Sequence, residues 1–282
     1  MRNNKSYLAA LLPLLILAGM FEFLPVLTII IKSFMPENGD LGFTFQNYIH
    51  IFSKPLYRLA IQNSLVISII SAVIGLFVAF IGGKAACEKG GKTKKMFMSM
   101  LNMVSNFSGV PLAFSFIILF GNAGVVTIVG KTLGITALSE FPLYTVWGLT
   151  AVYIYFQIPL ATLLLIPSFD SIRTEWKESV SLMGGTGRIF WEKVGIPVLM
   201  PGILGTFSTL FANAIAAYAT AYALLMNNFS LLPIRIAEQF TGDVVQRPQF
   251  GSALAVLLML LMTISILFTQ YLTKRQKGEA VR

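Results

Sequence analysis

The sequence predicts an all-α integral membrane protein with six transmembrane helices and both termini in the cytoplasm. Only 12% of its 282 residues are charged, about half the share of a soluble domain, and 56% are hydrophobic. A mean hydropathy of +0.76 agrees with residence in a bilayer. The apolar residues form long runs separated by polar segments, as membrane-spanning helices require. The predicted spans of a single transmembrane domain, 1–282, cover about residues 7–31, 59–81, 96–120, 143–166, 198–226 and 251–272.

The first apolar run, Tyr7–Ile31, is predicted to be an uncleaved transmembrane helix. It is about 25 residues long, enough to cross a bilayer core, whereas the apolar core of a signal peptide has about 7–15 residues. Ala18-Gly19 weakly resembles a cleavage site, but hydrophobic residues continue beyond it.

The segment from Gly121 to Pro142 is moderately apolar but is not predicted to span. It contains four glycines and Lys131, and its apolar pieces are too short to cross a bilayer. We expect an interfacial or re-entrant segment here. Proline, glycine and asparagine inside the spans themselves are tolerated, because neighbouring helices or water can satisfy the freed backbone groups.

The distribution of positive charge predicts the orientation of the spans. If the amino terminus is cytoplasmic, 15 of the 21 Lys and Arg residues fall in cytoplasmic segments and the other 6 in outer segments. This asymmetry satisfies the positive-inside rule. Six spans then leave both termini in the cytoplasm, together with the basic loop 84–95 and the longer loop 170–196.

Residue types argue against several classes of function. The single cysteine, Cys87, excludes an internal disulfide, and the single histidine, His50, is expected to be an ordinary loop residue. The net charge of +9 does not indicate nucleic-acid binding, because the basic residues lie between apolar runs. The chain contains no G-x-x-x-x-G-K-[ST] phosphate-binding loop. We therefore expect no enzyme activity, catalytic residue, metal site or cofactor in this chain.

The loop 170–196 carries the most informative pattern. One face of a predicted helix bears apolar residues at spacings of four, four and three: Ile172, Trp176, Val180 and Met183. Gly184-Gly185 and Gly187 predict a sharp turn after it. A second apolar patch follows, formed by Ile189, Phe190, Trp191 and Val194. The pattern alone fits two interpretations equally well: a helix that docks into a partner's groove, or a loop whose apolar face covers its own helix ends.

The stretch 178–203 reads ESVSLMGGTGRIFWEKVGIPVLMPGI and resembles the EAA signature of permease subunits of binding-protein-dependent ABC importers. That signature runs E-A-A, three residues, G, nine residues and I-x-L-P. Glu178, Gly184 and Pro197 match its fixed positions at its spacing. The two alanines are replaced here by Ser179 and Val180, and in the closing tetrad Val194 and Ile196 stand at the positions of Ile and Leu.

The resemblance covers the whole chain and implies a fold of the MetI-like permease type. It implies that the loop 170–196 forms a coupling helix in a cleft of a cytoplasmic ABC ATPase dimer, which binds the ATP and Mg²⁺. A second permease subunit, expected to be a different chain, and an extracytoplasmic solute-binding protein complete the implied assembly in the bacterial inner membrane. The residues expected to couple to the ATPase are Trp176, Glu178, Ser179, Val180, Met183, Gly184, Gly185, Phe190 and Pro197.

The stretch NYIHIFSKPLYRLAIQNSLVIS, 47–68, is similar to the subgroup of these permeases that handles polyamines, ferric iron, thiamine or sulfate, so a small polar solute is expected. Polar groups inside the spans are candidates for the solute path, because unpaired polar groups are costly in lipid. For Glu22 the alternative is a protonated or hydrogen-bonded carboxyl that faces a neighbouring helix. The candidates are Glu22, Asn63, Asn106, Gln157, Asn213, Tyr218 and Tyr222.

Two other functions compete with this interpretation. A stand-alone secondary transporter or channel would need ionisable residues at mid-membrane and often has inverted repeats. Only Glu22 meets the first requirement, and no repeat is evident. An intramembrane hydrolase would need a serine or metal site with histidine, or paired aspartates. It is disfavoured, because Asp170 and Asp243 lie at span edges and His50 lies in an outer loop.

Overall fold

The structure, a computed structural model, describes residues 4–37, 42–226, 229–241 and 246–279. Every regular element in these ranges is a helix, as the sequence predicts. In chain order they are α1 (Asn4–Ala18), a first π-helix (Gly19–Phe23), α2 (Leu24–Ser33), α3 (Gln46–Ser53), α4 (Pro55–Lys89), α5 (Gly91–Ser105), α6 (Val110–Phe120), α7 (Val125–Leu133), α8 (Thr136–Ser139), α9 (Val146–Asp170), α10 (Thr174–Leu182), α11 (Gly187–Phe190), a second π-helix (Trp191–Gly195), α12 (Ile196–Ile215), α13 (Ala219–Leu225), α14 (Leu232–Thr241) and α15 (Pro248–Glu279).

Six helical segments in the described ranges are long and apolar enough to cross a membrane, which confirms the predicted number. The second of them contains all 35 residues of α4. At about 1.5 Å per residue that helix is longer than a bilayer core, so its basic end extends past the apolar region. The six segments are Leu11–Ser33, Pro55–Lys89, Val110–Leu133, Val146–Asp170, Gly187–Ile215 and Pro248–Arg275.

The third predicted span, 96–120, is divided between two helices. Helix α5 ends at Ser105 and α6 begins at Val110. Gly109 has a φ of 72°, which is unfavourable for other residues, and Pro111 sits in the first turn of α6, where its missing N–H costs no hydrogen bond. The apolar segment continues to Leu133, so it includes part of the stretch 121–142 that was expected to be interfacial.

The fifth predicted span, 198–226, is also divided. Helix α12 ends at Ile215, α13 begins at Ala219, and the residues between them are not helical. The apolar segment starts earlier than predicted, at Gly187, because α11 and the second π-helix run directly into α12. Two of the six predicted spans therefore contain a helix break.

The chain divides into two compact units. Residues up to Ala60 together with Arg235–Leu260 form the first unit, and Ile61–Ile234 with the residues from Leu261 onward form the second. In the first unit, the Asn47 amide donates to the carbonyl oxygens of Ser33 and Met35, both at 3.0 Å. The second unit contains two buried apolar clusters, one around Leu149 and Tyr153 and the other around Leu165 and Phe169. The candidate loop and both helix breaks lie in this second unit.

Candidate functional site

The loop between the fourth and fifth spans forms the predicted helix, glycine turn and second helix. Helix α10 ends at Leu182, the turn follows, and α11 begins at Gly187. The Thr186 side chain caps α11 by accepting a hydrogen bond from the Ile189 N–H at 3.5 Å. The loop is therefore an ordered helical hairpin.

Two adjacent glycines close α10, and each is required for a different reason. Gly184 has a φ of 76°, in the left-handed region. Its N–H donates to the Ser181 carbonyl at 3.0 Å, and the Gly185 N–H donates to the Val180 carbonyl at 2.8 Å. This pair of bonds is a Schellman motif, which satisfies the last carbonyls of a helix. A Cβ on Gly185 would lie 2.6 Å from Cγ1 of Val180.

The end of α10 exposes two large apolar side chains. Leu182 is 89% exposed and Met183 is 79% exposed, and Glu178 and Ser179 are exposed beside them. We call Glu178, Ser179, Leu182 and Met183 the loop tip. Sequence reasoning missed Leu182, which does not fall on the apolar stripe from Ile172. Its signal was its position next to the glycine turn, where a helix end projects its side chains outward.

The first three residues of the apolar stripe face the chain, whereas Met183 belongs to the exposed tip. Ile172, Trp176 and Val180 are half-buried, and Phe190, predicted to couple to a partner, is 2% exposed. Its ring packs on Trp191, with ring centroids 5.7 Å apart. Pro197 is exposed at the start of α12. Both interpretations of the pattern thus describe part of the loop, because the stripe covers the loop's own base while the tip is free.

An aromatic cluster joins the base of the loop to two spans. The ring centroid of Trp191 lies 6.2 Å from that of Phe80 on α4 and 6.4 Å from that of Phe169 on α9. The centroids of the two phenylalanine rings lie 5.3 Å apart. The Lys84 ammonium lies 4.6 Å from the centroid of the Trp191 ring, within range of a cation–π interaction. The cluster therefore connects the base of the loop to α4 and α9.

An ion pair adds a third connection at the same place. Lys94 on α5 donates to the Asp170 carboxylate at the end of α9. The Cys87 sulfur lies 3.7 Å from the same carboxylate. The hydrogen bond to Asp170 raises the pKa of Lys94 above its usual value, while partial burial opposes that rise. The lysine therefore stays charged at neutral pH.

A cavity of about 480 Å³ lies between these connections and α10. Its rim carries Lys84, Arg173 and Lys177 with one acidic group, Glu88, while Phe169, Phe190 and Trp191 supply an apolar wall. Lys84 and Glu88 approach to 4.0 Å as a partly exposed pair. The cavity therefore lies between the start of α10 and the ends of α4 and α9.

The breaks in the third and fifth predicted spans, at 106–109 and 216–218, lie against each other. The Thr220 hydroxyl donates to the carbonyl oxygen of Gly109 at 3.3 Å, and the Tyr153 hydroxyl donates to that of Ala217 at 2.7 Å. The Tyr153 hydroxyl satisfies a carbonyl group that a continuous helix would have used internally. The Gly109 carbonyl also accepts from the Ala113 N–H at 3.2 Å, so the Thr220 hydroxyl is its second donor. Sequence reasoning missed both donors, because the residues around Thr220 and Tyr153 do not indicate which distant carbonyl group each hydroxyl contacts.

Four of the predicted solute-path residues are exposed near these breaks. Tyr218 and Tyr222 stack with ring centroids 5.1 Å apart and an interplanar angle of 23°. They are 36% and 41% exposed. Asn213, near the end of α12, and Asn106, at the end of α5, are also exposed. The Asn106 amide donates to the Asn102 carbonyl at 2.7 Å and so caps its own helix.

Two other candidates for the solute path, Asn63 and Gln157, form hydrogen bonds between distant segments of the chain. The Asn63 amide donates to the Ser230 carbonyl at 3.1 Å. Gln157 is fully buried and donates to the Ser71 hydroxyl at 3.1 Å. In these positions both side chains serve packing between segments. Glu22, the remaining candidate, is exposed in the first π-helix.

No family model matches the chain, but curated bacterial proteins do. It is 26% identical over 255 residues to the trehalose transport system permease protein SugB of Mycobacterium tuberculosis, covering 87% of this chain and 86% of that one. It is 25% identical over 285 residues to the inner membrane ABC transporter permease protein YcjP of Escherichia coli, covering 95% and 94%. A third relative is the sulfoquinovosyl glycerol transport system permease protein SmoH of Agrobacterium fabrum, 23% identical over 80% of this chain and 74% of that one.

Solved structures share the fold. A chain of a bacterial alginate ABC transporter, in complex with an alginate pentasaccharide-bound periplasmic protein, superposes with a TM-score of 0.75 at 16% identity over 97% of this chain and 96% of that one. A chain of the MetNI methionine ABC transporter superposes with a TM-score of 0.60 at 14% identity, covering 79% and 98%. With its six apolar helices, the chain is a multi-pass protein of the bacterial inner membrane that has the fold of an ABC transporter permease subunit.

Proposed function

We propose that this chain is a membrane permease subunit of an ABC importer and that its 170–196 loop couples solute movement to a separate ATPase. The observation that carries the proposal is the loop's division into a free apolar tip and a base joined to the spans. Leu182 and Met183 are exposed at the tip, while Trp191 packs on Phe80 and Phe169 at the base. A docking helix needs both properties.

In the proposed mechanism the loop tip sits in a groove of a cytoplasmic ATPase. Exposed apolar side chains at a helix end are suited to such a groove. When ATP draws the two ATPase subunits together, the loop is displaced, and Trp191 transmits the displacement to the ends of α4 and α9. A movement of this kind biases a membrane domain between two arrangements, inward-open and outward-open. ATP and Mg²⁺ bind to the partner ATPase in this scheme.

We further propose that the solute is a carbohydrate or a related polyol. We propose this class in place of the polyamine, ferric iron, thiamine or sulfate solute expected from the sequence, because two of the relatives described above are named for the transport of trehalose and sulfoquinovosyl glycerol. The helix breaks offer matching chemistry: a stacked pair of exposed tyrosines with exposed amides at Asn106 and Asn213. Aromatic faces cover the C–H surface of a sugar ring, and amides and phenols hydrogen-bond its hydroxyls.

The assembly we propose contains an ATPase dimer, a second permease chain and an extracytoplasmic solute-binding protein. The test is a mild-detergent purification of the tagged chain from its native host, with the bound proteins identified by mass. Wild type should retain an ATPase that carries a phosphate-binding loop. The double change Leu182→Asp and Met183→Asp should abolish that retention, because two carboxylates cannot enter an apolar groove without a large desolvation cost.

Arg188→Ala is the matched control. Arg188 also lies in the loop and is exposed, and its ion pair is with Glu192 on the adjoining turn. It should leave ATPase retention unchanged. Recovery of the ATPase with the double variant would contradict docking at the tip. A chain that purifies alone and moves solute into liposomes without ATP would instead support a secondary transporter.

A further inference from the structure

The first apolar segment, Leu11–Ser33, exposes most of its side chains. None of the residues in the most apolar window of Leu11–Ser33 is buried, and Phe21 and Phe23 are 73% and 72% exposed. Lipid tails can cover such side chains. They offer no hydrogen-bond or charge partner to the carboxyl group of Glu22. This residue lies between the two phenylalanines, is itself exposed and is the central residue of the 23-residue segment.

The backbone around Glu22 is a π-helix, which joins α1 to α2. The Leu24 N–H donates to the carbonyl oxygen of Gly19, five residues back. Pro25, in the first turn of α2, explains this widened turn. It has no N–H to donate, and its ring would crowd the carbonyl group of Phe21, four residues earlier. Single π-turns of this kind are frequent at functional sites.

A carboxyl group at the centre of a span needs a partner. Such groups are rare, face protein or water, and pair with one another or with other polar groups. In the ranges that the structure describes, no hydrogen bond or ion pair to the Glu22 carboxylate is present. The nearby hydroxyl of Thr28 is used internally and donates to the Leu24 carbonyl at 2.8 Å. Within the described part of the first unit, the Glu22 carboxylate therefore has no polar partner.

We propose that Glu22 forms an ion pair with a lysine or arginine in a membrane-spanning helix of a second, different permease chain. This inference rests on the proposed function, which supplies the second permease. Charge complementarity identifies the partner, since a carboxylate and a cation neutralise each other where water is excluded. The exposed apolar side chains around Glu22 then bury against the same helix.

A second copy of this chain cannot supply that cation. In its six spans, the lysines and arginines lie near the ends and not near the centre. They are Lys32, Arg58, Lys84, Lys89, Lys131, Arg188, Lys193, Lys274 and Arg275. The proposal therefore excludes a symmetric pair of identical permeases in which Glu22 is neutralised.

Photo-crosslinking in native membranes tests which molecule covers this surface. Benzoylphenylalanine replaces Phe23, beside Glu22, or Phe268, which is 60% exposed in the sixth span. The adduct from position 23 should be a second permease sequence, with the crosslinked peptide in a span that contains Lys or Arg near its centre. An adduct with another copy of this chain would overturn the proposal. So would an adduct with a second permease in a span that has no Lys or Arg near its centre.

Substitution tests the ion pair itself in the same tagged assembly. Glu22→Leu and Glu22→Gln should each lower the amount of second permease recovered by at least tenfold, since both leave the partner's cation unpaired. Met20→Leu, a change on the same π-helix at a residue 59% exposed, should have no effect. Replacing the partner's cation with methionine should restore recovery with Glu22→Leu. Unchanged recovery with Glu22→Gln would show that no cation faces the residue.

The two proposals fail in different ways. If neither an ATPase nor a second permease accompanies the wild-type chain, the proposed importer function is wrong. If both accompany it and the Glu22 variants retain them, only the ion pair is wrong.

Discussion

The N–H of Gly185 lies 2.8 Å from the carbonyl oxygen of Val180 and closes the last turn of α10. Within the EAA-like stretch, Val180 stands at the position of the second alanine, and Gly185 directly follows the glycine position. The bond between them gives a physical reason for the distance in sequence between the second alanine and the glycine. The helix must end here, and its terminal carbonyl groups must be satisfied while the tip is exposed.

The first prediction concerns this turn. Gly184→Val should uncouple transport while the protein still inserts, because a left-handed conformation costs a branched residue about 1–2 kcal/mol and melts the end of α10. Gly185→Val should be at least as damaging, since its Cβ would meet Val180 at 2.6 Å. The measurement is ATP-dependent uptake in vesicles that contain the assembled transporter. Gly187→Ala, with open space around the added methyl group, is the control. Normal uptake by Gly184→Val would contradict the assigned role.

The second prediction concerns Trp191. Trp191→Ala should leave the ATPase bound, because the loop tip is unchanged, but should reduce uptake strongly. The substitution removes the contacts to Phe80, Phe169 and Lys84, a loss of about 2–3 kcal/mol for a half-buried aromatic ring. The readout is the ratio of solute moved to ATP hydrolysed. Trp147→Ala, at a site 64% exposed on α9, should leave that ratio unchanged. An unaltered ratio in Trp191→Ala would mean that the displacement travels by another route.

The third prediction concerns the ion pair of Lys94 and Asp170. Lys94→Met should lower stability by about 0.5–1 kcal/mol, a modest amount because Asp170 is half exposed. The pKa of Lys94 is raised by its hydrogen bond to Asp170, so the pair's contribution is complete below the ordinary lysine pKa of 10.5. It should disappear only as the pH rises through the still higher value in the folded protein.

Thermal unfolding in detergent checks that prediction. The difference between wild type and Lys94→Met should be the same at pH 7 and pH 9 and should shrink above about pH 10.5. Lys95→Met, a neighbouring exposed lysine, should match wild type throughout. A difference that disappears already at pH 9 would show that the lysine is not held in its charged form.

The fourth prediction concerns the stacked tyrosines. Tyr222→Ala should raise the KM for uptake at least fivefold with little change in ATPase retention, because the ring lies away from the loop. Tyr222→Phe keeps the ring and removes only the hydroxyl group. Its KM therefore distinguishes the contribution of ring stacking from that of the hydroxyl's hydrogen bonds. Labelled trehalose is the first probe. Tyr271→Ala, at an exposed site in the sixth span, is the control. An unchanged KM in Tyr222→Ala for every carbohydrate transported would remove this pair from the solute path.

The sequence predicts the parts of this protein that depend on local chemistry. Apolar runs predict the six spans because each must satisfy its own backbone in lipid. Gly184 predicts the turn because other residues are strained there. The signature made Glu178 a candidate coupling residue and the apolar stripe made Met183 one, and the structure exposes both.

Features that depend on long-range packing were not predictable. An apolar stripe does not say which side of a helix faces its own chain, so Phe190 was assigned to a partner although it is buried. The interruption at 216–218 has no proline, and its carbonyl at Ala217 is satisfied by Tyr153, 64 residues away. Such pairings arise only when the spans assemble.

Cys87 gives the protein a built-in attachment point for spectroscopy. It is the sole cysteine of the chain, and its sulfur lies 3.7 Å from the Asp170 carboxylate, where α4, α5 and α9 meet. A maleimide dye or spin label at this thiol needs no background mutations in this subunit. Its emission or line shape would follow rearrangement at the base of the loop during turnover, in real time and in a lipid nanodisc.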